Sequence, residues 1–329
     1  MTPEPVHASA PVPESEILAR LLLRLPESAR AEVGPGDDAA VVRAMDGRTV
    51  ITTDMMIHGP DFRLAWSTPY DLGWKAAASN LADVAAMGAQ PTALVVALAL
   101  TEDDPAGFAE GFADGMREAC AALAPGCGVV GGDLSVSDTL TIAVTAIGDL
   151  GGRAPVLRSG ARPGDVLALA GAAGEAARGL AALFRYAVDA EGVPDPGRAR
   201  TLRLAEPQLL GAQLTPTPPI AAGTRAAAAG ATSMLDVSDG LALDASRIAE
   251  ASGVALDITA TALGEHPEAA LHGGEDHALL ATFPADTELP EPFRAIGVVR
   301  EGRGVLLDGT PVDPSRGWDP YAQWDGQAG

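Results

Sequence analysis

The chain has 329 residues, of which 47% are hydrophobic, so it is long enough for two domains and too apolar for a disordered protein. Its 44 acidic residues outnumber its 22 basic residues, and the net charge of −22 argues against nucleic acid or an anionic membrane as a partner. The spacing of the two cysteines, Cys120 and Cys127, matches neither a zinc site nor a disulfide framework. Residues 1–13 lack the features of a secretory signal, and the longest apolar run, 93–100, is too short to span a bilayer. We therefore expect a reduced, cytoplasmic protein.

Hydrophobic periodicity in the first half of the chain predicts three helices and several strands. The helices are expected over 14–25, 68–88 and 105–123, and the strands over 39–42, 49–53, 93–100, 129–130 and 140–147. The second helix has a clear start, because Thr68 is a suitable N-cap, Pro69 lies in the first turn and Asp71 completes a capping box.

The Asp46-Gly47 dipeptide is typical of a two-residue hairpin turn between the strands expected at 39–42 and 49–53. If those strands pair across this turn, Ala39 lies opposite Asp54. The predicted hairpin therefore brings the acidic pair that precedes Ala39 close to Asp54, at one end of a sheet.

A stretch rich in Gly, Arg and Pro at 151–164 is the expected domain boundary. We therefore divide the chain into domains of residues 1–150 and 151–329. In the second domain the pattern predicts strands and helices in alternation. The strands are expected at 165–170, 233–237 and 277–282, and the helices at 175–184 and 241–251.

Five short acidic motifs lie at breaks between hydrophobic runs: Gly36-Asp37-Asp38, Thr52-Thr53-Asp54, Asp83, Gly131-Gly132-Asp133 and Asp236-Val237-Ser238-Asp239-Gly240. Any one of them is most often an ordinary turn, because Asp and Gly are common turn residues. Together they favour a shared site for Mg²⁺ and phosphate, because Mg²⁺ prefers oxygen ligands. The single lysine, Lys75, lies in a helical pattern and not in a P-loop, so phosphate has to be held by arginines, metal ions or helix N-termini.

Seven motifs follow one another along the chain: Gly36-Asp37-Asp38, Thr52-Thr53-Asp54, Asn80 to Ala89, Gly131-Gly132-Asp133, Arg158 to Asp165, Asp236 to Leu241 and Gly273-Gly274-Glu275-Asp276. In order and spacing, this set resembles the thiamine-monophosphate kinase family of the aminoimidazole ribonucleotide synthetase-like superfamily. The resemblance extends from about Val33 to Trp324. It implies an α+β protein with two α/β-type domains, the first holding metal and ATP and the second closing over nucleotide and substrate.

The resemblance also implies a reaction, in which ATP and thiamine monophosphate give ADP and thiamine diphosphate by direct in-line transfer with several Mg²⁺ ions. The implied metal ligands are Asp38, Thr52, Thr53, Asp54, Asp83, Asp133, Asp236 and Asp239. The implied ATP contacts are Gly132, Asp133, Arg158 and Ser238, and the implied substrate contacts are Glu275 and Trp318. No catalytic side chain is assigned, because a substrate phosphate is already ionised near neutral pH and needs no general base.

One position departs from the family pattern. The family usually has a histidine in a Gly-x-His-Phe context after the Thr-Asp strand, whereas this chain has Gly59-Pro60-Asp61-Phe62. We assign Asp61 to the substrate contacts at that position, with His58 close by as a possible substitute. The substrate range is therefore open at this point.

The resemblance further implies a homodimer formed through strands of the first domain. Two alternative functions follow from the same motifs. One is another ATP-dependent reaction of the superfamily, similar to aminoimidazole ribonucleotide synthetase or to a hydrogenase-maturation enzyme. The other is a non-catalytic protein that binds metal and nucleotide, which the cost of clustering carboxylates without cations disfavours.

Overall fold

The computed structural model describes residues 14–35, 40–101 and 103–318, which form nine α-helices and thirteen β-strands. The helices are α1 (Glu14–Leu22), α2 (Pro69–Ala86), α3 (Pro105–Leu123), α4 (Glu175–Tyr186), α5 (Pro196–Ala205), α6 (Pro207–Leu214), α7 (Ile220–Ala228), α8 (Leu241–Ser252) and α9 (Pro267–His272). The strands are β1 (Ala31–Val33), β2 (Val41–Val42), β3 (Val50–Ile57), β4 (Gln90–Leu100), β5 (Gly128–Val136), β6 (Thr141–Asp149), β7 (Val166–Ala170), β8 (Ser233–Val237), β9 (Ala255–Ile258), β10 (Ala278–Phe283), β11 (Arg294–Arg300), β12 (Gly304–Leu307) and β13 (Thr310–Pro311). In these ranges no helix is long and apolar enough to cross a membrane.

The first half of the chain forms a four-stranded sheet in the order β3-β6-β4-β5, in which β4 and β5 run parallel and the other pairs run antiparallel. Helices α2 and α3 pack together in the layer against this sheet. They approach closely because two glycines face the partner helix: a Cβ on Gly73 would lie 2.0 Å from the Phe112 carbonyl oxygen, and one on Gly115 would lie 2.0 Å from that of Tyr70. The close contact of the two helices therefore depends on the absence of side chains at these positions.

The second half forms a seven-stranded mixed sheet in the order β13-β12-β9-β11-β7-β10-β8. Strand β8 lies at one edge and pairs antiparallel with β10, so that Asp236 is opposite Leu279. Helix α8 follows β8 after a short turn and packs back onto that strand and onto β12. The end of β8 and the start of α8 therefore meet at one edge of the sheet.

Helix α2 joins the two halves, because it contacts β3 and β6 on one side and α7 and β8 on the other. A small helical layer, α4 to α6, has its own apolar core around Leu183 and Leu210 and packs against Trp66. The indole nitrogen of Trp66 donates to the Ala187 carbonyl over 2.9 Å. The segment before α2 is thereby fixed against the second half.

Most elements expected from the sequence are confirmed. The structure has the expected bounds for α3 and β8, and the capping box at Thr68 and Asp71 is present with Pro69 in the first turn. The first helix is shorter than expected and ends at Leu22. Helices α5, α6 and α7 were not predicted, and all three lie between 196 and 228.

The predicted hairpin across Asp46-Gly47 is wrong. Strand β2 pairs with β1, while β3 pairs along eight residues with β6, so the described parts of the two expected hairpin strands have different partners. The Asp46 side chain accepts from the Arg48 backbone N–H over 3.0 Å, so the dipeptide forms a local turn without joining paired strands. The acidic pair Asp37 and Asp38 lies outside the described residues.

The expected end of a strand at Val130 is also wrong. Strand β5 continues through Gly131-Gly132-Asp133 to Val136, with Gly132 opposite Val96 and Asp133 opposite Ala97. The parallel partner β4 is eleven residues long and supplies ladder partners beyond the glycines. Pairing therefore overcomes the low strand propensity of Gly and Asp at these positions.

Candidate active site

An acidic cluster begins where β3 faces α2. The Thr52 hydroxyl donates to the Asp83 carboxylate over 2.9 Å, and the Asp54 backbone N–H donates to the Asn80 side-chain oxygen over 3.2 Å. Thr52 and Asp54 share one face of β3 because side chains alternate along a strand, and Asn80 and Asp83 share one face of α2 because they are three residues apart. Two regular elements therefore bring together side chains that are distant in the sequence.

Strand β8 adds Asp236 to this cluster. The imidazole nitrogen Nδ1 of His277 lies 3.3 Å from Asp236 Oδ2, and both side chains are buried. Asp239 follows at the start of α8, where its carboxylate pairs with Arg247 over 2.7 Å and its backbone N–H donates to Asp244. Asp239 is therefore neutralised by an arginine, whereas Asp236 has a histidine as its partner.

The carboxylates of the cluster raise one another's pKa values, in addition to the effect of burial. Burial, followed by the negative charges of Asp236 and Asp54, raises the pKa of Asp83 to about 7. Burial also raises the pKa of Asp54, and Asp236 and Asp239 add to that effect. Burial lowers the pKa of His277, but its hydrogen bond to Asp236 and the charges of Asp236 and Glu275 outweigh that effect and raise it. A cation beside this cluster would remove the repulsion that raises the carboxylate pKa values.

The donor atoms of the cluster suit a hard divalent cation, because they are carboxylate and hydroxyl oxygens. Across the described part of the chain, however, no group of three or more His, Cys, Asp and Glu side chains is assembled as a complete metal site. The cluster thus has the right chemistry for Mg²⁺, but its carboxylates have not converged on one point. Asp38, which belongs to the predicted ligand set, lies outside the described residues.

Two predicted ligands lie on the other face of the four-stranded sheet. The Thr53 hydroxyl accepts from Thr145 over 3.2 Å and donates to the Val144 carbonyl, so it points away from Asp54. Asp133 occupies the same cross-strand row as Met55 and shares its face. It is exposed on the edge strand β5, three strand spacings of about 4.8 Å from β3. Within one chain, the predicted metal ligands therefore lie on both faces of the four-stranded sheet.

The predicted nucleotide contacts are also spread over the molecule. Gly132 lies in the same cross-strand row as Asp54 but on β5. Ser238 lies beside the acidic cluster, and its carbonyl accepts from the Glu275 backbone N–H over 2.8 Å. Arg158 lies near the start of β8, because the carbonyl of its neighbour Leu157 accepts a hydrogen bond from the Met234 backbone N–H. The Arg158 side chain is exposed. Arg158 and Ser238 are thus at opposite ends of β8, about 13 Å apart by strand rise.

A cavity of about 300 Å³ adjoins the cluster. Its walls contain the three predicted substrate contacts, Asp61, Glu275 and Trp318. The walls also contain aromatic, cationic and amide side chains: Arg63, Trp66, Lys75, Phe184 and Gln213. The structure therefore brings together residues from both halves of the chain around one space.

The cavity walls carry charges of both signs. The Arg63 guanidinium stacks on Trp66, 5.0 Å from the ring centroid, and on Phe184, 4.7 Å from the centroid. The Lys75 ammonium lies 2.5 Å from the Glu275 carboxylate. Asp61 accepts from the Ile57 backbone N–H over 2.7 Å, and burial, followed by the charge of Glu275, raises its pKa. The site therefore combines flat apolar faces with cations and carboxylates.

A short segment, Glu275 to His277, connects the cavity with the acidic cluster. Glu275 lines the cavity, Asp276 accepts from the backbone N–H groups of Gly174 and Ala176 at the start of α4, and His277 contacts Asp236. Glu275 and His277 have φ values of +69° and +51°, in the left-handed region that side chains seldom adopt. This strained backbone aims three consecutive side chains at three different parts of the site.

Comparison with known proteins decides the family. The chain is 43% identical over 330 residues to the thiamine-monophosphate kinase of Mycobacterium tuberculosis (strain H37Rv), an alignment that covers 95% of this chain and 93% of that protein. The chain belongs to the thiamine-monophosphate kinase family. It is thus a member of a kinase family, and residues 36–150 also match the model for the N-terminal domain of AIR synthase related proteins.

Solved structures of thiamine-monophosphate kinases share the fold. The enzyme from Stenotrophomonas maltophilia K279a is 31% identical, with a TM-score of 0.73, over 91% of this chain and 96% of that chain. The structure described as AaThiL complexed with AMPPCP and TMP is 33% identical, with a TM-score of 0.70, over 86% of this chain and 90% of that chain. These matches confirm the expected α+β fold with two α/β-type parts.

Several residues of the cavity and the acidic cluster are not predicted from the sequence. The sequence analysis excludes Lys75 as a P-loop lysine and gives it no other role. It assigns no role to Arg63, Gln213 or His277. One signal is present for Lys75, because it is the single lysine of the chain and lies within a helix of small and apolar residues. Gln213 has no such signal, because its role depends on where α6 packs.

Proposed function

We propose that the protein transfers the γ-phosphoryl group of ATP to thiamine monophosphate, giving ADP and thiamine diphosphate. The observation that carries this proposal is that the cavity and the acidic cluster lie next to each other. Glu275 lines the cavity, and two residues later His277 contacts Asp236 in the cluster. A substrate held in the cavity would thus present its phosphate beside carboxylates suited to cations.

The cavity suits the two ends of thiamine monophosphate. Its aromatic side chains can pack against flat rings, and the carboxylates of Asp61 and Glu275 complement the positive charge and the amino group of thiamine. The Arg63 guanidinium complements a phosphate group. The backbone N–H of Trp318 donates to the Asp239 carbonyl over 2.9 Å, so the aromatic wall is attached to the cluster. We therefore assign Asp61, Glu275 and Trp318 to substrate binding.

We propose that several Mg²⁺ ions accompany the nucleotide. Asp54, Asp83 and Asp236, with Thr52 and Asp239 beside them, would hold these ions, and the family resemblance adds Asp38, Thr53 and Asp133. Bound Mg²⁺ would neutralise phosphate charge and orient the phosphate oxygens. The raised pKa values of Asp54 and Asp83 support a cation at this position.

We infer that transfer is direct and in-line. An oxygen of the substrate phosphate forms a bond to the γ-phosphorus of ATP while the bond to the β-phosphate oxygen breaks, and ADP leaves with that electron pair. The substrate oxygen is ionised near neutral pH, so the step needs no side chain to remove a proton. Gly132, Asp133, Arg158 and Ser238 remain the proposed nucleotide contacts.

We propose a homodimer in which two copies meet through the open face of the four-stranded sheet. On β3, Ile51 and Met55 lie on the face opposite α2 and are 67% and 59% exposed. Asp133 and Thr53 share that face, so a second copy bound there would lie against these two proposed metal ligands.

We further propose two domains, of residues 1–150 and 151–329, a division that is supported by the two large sheets. The free cysteines Cys120 and Cys127 support a cytoplasmic location.

The proposal is tested by incubating purified protein with ATP, Mg²⁺ and thiamine monophosphate and measuring thiamine diphosphate and ADP by chromatography. Equimolar formation of both products is expected. ADP without thiamine diphosphate would indicate a different acceptor. Binding of ATP with no turnover would support the non-catalytic alternative and contradict the proposal.

A further inference from the structure

We propose that Lys75 and Gln213 are positioning residues that hold Glu275 so that its free oxygen reads the amino group of the substrate's pyrimidine ring. This inference rests on the proposed function, because it concerns how the same cavity distinguishes its substrate. It assigns a specificity role to two residues on different helices, Lys75 on α2 and Gln213 on α6.

The geometry around Glu275 is asymmetric. Lys75 Nζ lies 2.5 Å from Glu275 Oε2, and Gln213 Nε2 donates to the same oxygen over 2.6 Å. Among the described residues, Glu275 Oε1 receives no hydrogen bond. The Lys75 side chain is 7% exposed and the Glu275 side chain is 37% exposed. One oxygen is therefore fixed by two buried donors, and the carboxylate keeps the other for a ligand.

The orientation of the Gln213 amide follows from the charge of Glu275. An ionised carboxylate only accepts hydrogen bonds, so the amide must turn its NH₂ group towards it. This leaves Gln213 Oε1 buried without a hydrogen-bond partner in the described chain. A buried unpaired carbonyl is destabilising, and the bond to the carboxylate has to offset that cost. An arrangement with this cost is more easily explained by a role at Glu275 than by helix packing alone.

The ionised state of Glu275 decides which ligand group it can accept. Burial opposes ionisation, but Lys75, His277 and Gln213 outweigh it and lower the pKa of Glu275. A carboxylate oxygen attracts an N–H donor and repels a carbonyl oxygen at the same place. The thiazolium ring of thiamine has no N–H group, whereas the pyrimidine carries a 4-amino group. The free oxygen, Oε1, is therefore suited to the pyrimidine amino group, while the aromatic side chains of the cavity suit the faces of the two rings.

The test compares thiamine monophosphate with oxythiamine monophosphate, in which an oxo group replaces the amino group. The proteins are the wild type, Lys75→Met, Lys75→Arg, Gln213→Met and the control Arg300→Met. Arg300 also pairs with a carboxylate at 2.5 Å, that of Asp257, but does not line the cavity. For each protein, kcat and KM are measured with both substrates and with ATP, and folding is checked by thermal unfolding.

We expect the wild type and Arg300→Met to prefer thiamine monophosphate by at least about 100-fold in kcat/KM, because a mismatched buried polar contact is costly. Lys75→Met and Gln213→Met should each reduce this preference about tenfold, through KM for thiamine monophosphate, with KM for ATP unchanged. Lys75→Arg should retain part of it. A wild-type preference in both Met variants would overturn the inference, and so would an equal loss in Arg300→Met.

The failure of the inference can be distinguished from failure of the proposed function. If the wild type forms no thiamine diphosphate, the proposed function fails, and the inference is then tested by titration calorimetry with the same two monophosphates. A wild-type preference in binding that both Met variants weaken would support it, whereas equal binding of the two ligands, or no binding of either, would overturn it. If Lys75→Met does not fold, Gln213→Met and Lys75→Arg provide the same comparison.

Discussion

Thr52 on β3 donates its hydroxyl hydrogen to the carboxylate of Asp83 on α2 over 2.9 Å, and so links the sheet to the helix at the acidic cluster. This bond favours the ionised form of Asp83, which lowers its pKa. Burial and the nearby carboxylates of Asp236 and Asp54 act in the opposite direction and are stronger, so the net pKa is raised. The protonation of Asp83 is therefore coupled to folding and to cation binding.

We expect the stability of the Mg²⁺-free protein to contain a pH-dependent contribution from Asp83. Its pKa is about 7 in the folded protein against an ordinary 3.8, so between these pH values the folded state holds a proton that the unfolded state releases. The contribution of Asp83 to stability therefore falls as the pH rises from about 4 to about 7. Thermal unfolding in EDTA across this range should show the fall in the wild type and a weaker one in Asp83→Asn. Parallel profiles for the two proteins would contradict the raised pKa.

The substitution Asp54→Asn should abolish turnover without unfolding the protein. Loss of a carboxylate that holds a cation is expected to lower kcat by about 100-fold or more. In EDTA the melting temperature should be unchanged or higher, because the variant no longer buries a carboxylate at position 54. Enzyme assay and thermal unfolding check these outcomes, with Asp138→Asn, an exposed acid between β5 and β6, as the control. Full activity of Asp54→Asn would exclude a metal-binding role for this residue.

The ion pair between Asp71 and Arg203 should stabilise the attachment of α5 to the start of α2. The Asp71 side chain is 1% exposed, and the Arg203 guanidinium contacts both of its oxygens, at 2.8 and 2.5 Å. We expect Arg203→Met to lower the free energy of unfolding by about 2 kcal/mol, because it leaves a buried carboxylate without its cation. Denaturant unfolding measures the change. Arg200→Met, at an exposed position on the same helix, should have an effect below about 0.5 kcal/mol.

The proposed dimer can be tested on its exposed apolar face. The double substitution Ile51→Glu and Met55→Glu should give a monomer, because charged side chains would have to be desolvated between the two copies. Light scattering after gel filtration measures the mass. Met45→Glu places the same charge on an exposed methionine outside the four-stranded sheet and should remain dimeric. A monomeric wild type would exclude this interface.

Local patterns in the sequence are sufficient to predict the regular elements that have strong signals. Helix α3 and strand β8 have the bounds that their hydrophobic patterns indicate, and Thr68, Pro69 and Asp71 specify the start of α2. The order and spacing of the seven motifs also indicate the family without any knowledge of tertiary contacts. These features are local or linear, so composition, capping chemistry and motif order are sufficient to predict them.

Strand pairing and the contacts between distant side chains, in contrast, follow from the fold of the whole chain. The Asp46-Gly47 turn predicted a hairpin, but β2 pairs with β1, and β3 pairs with the distant strand β6. Strand alternation placed Thr53 and Asp54 on opposite faces, and the packing of α6 brought Gln213 to within 2.6 Å of Glu275. Such contacts join residues up to 200 positions apart, as Lys75 and Glu275 show. They depend on competition between pairing and packing over the whole molecule, which no local pattern in the sequence records.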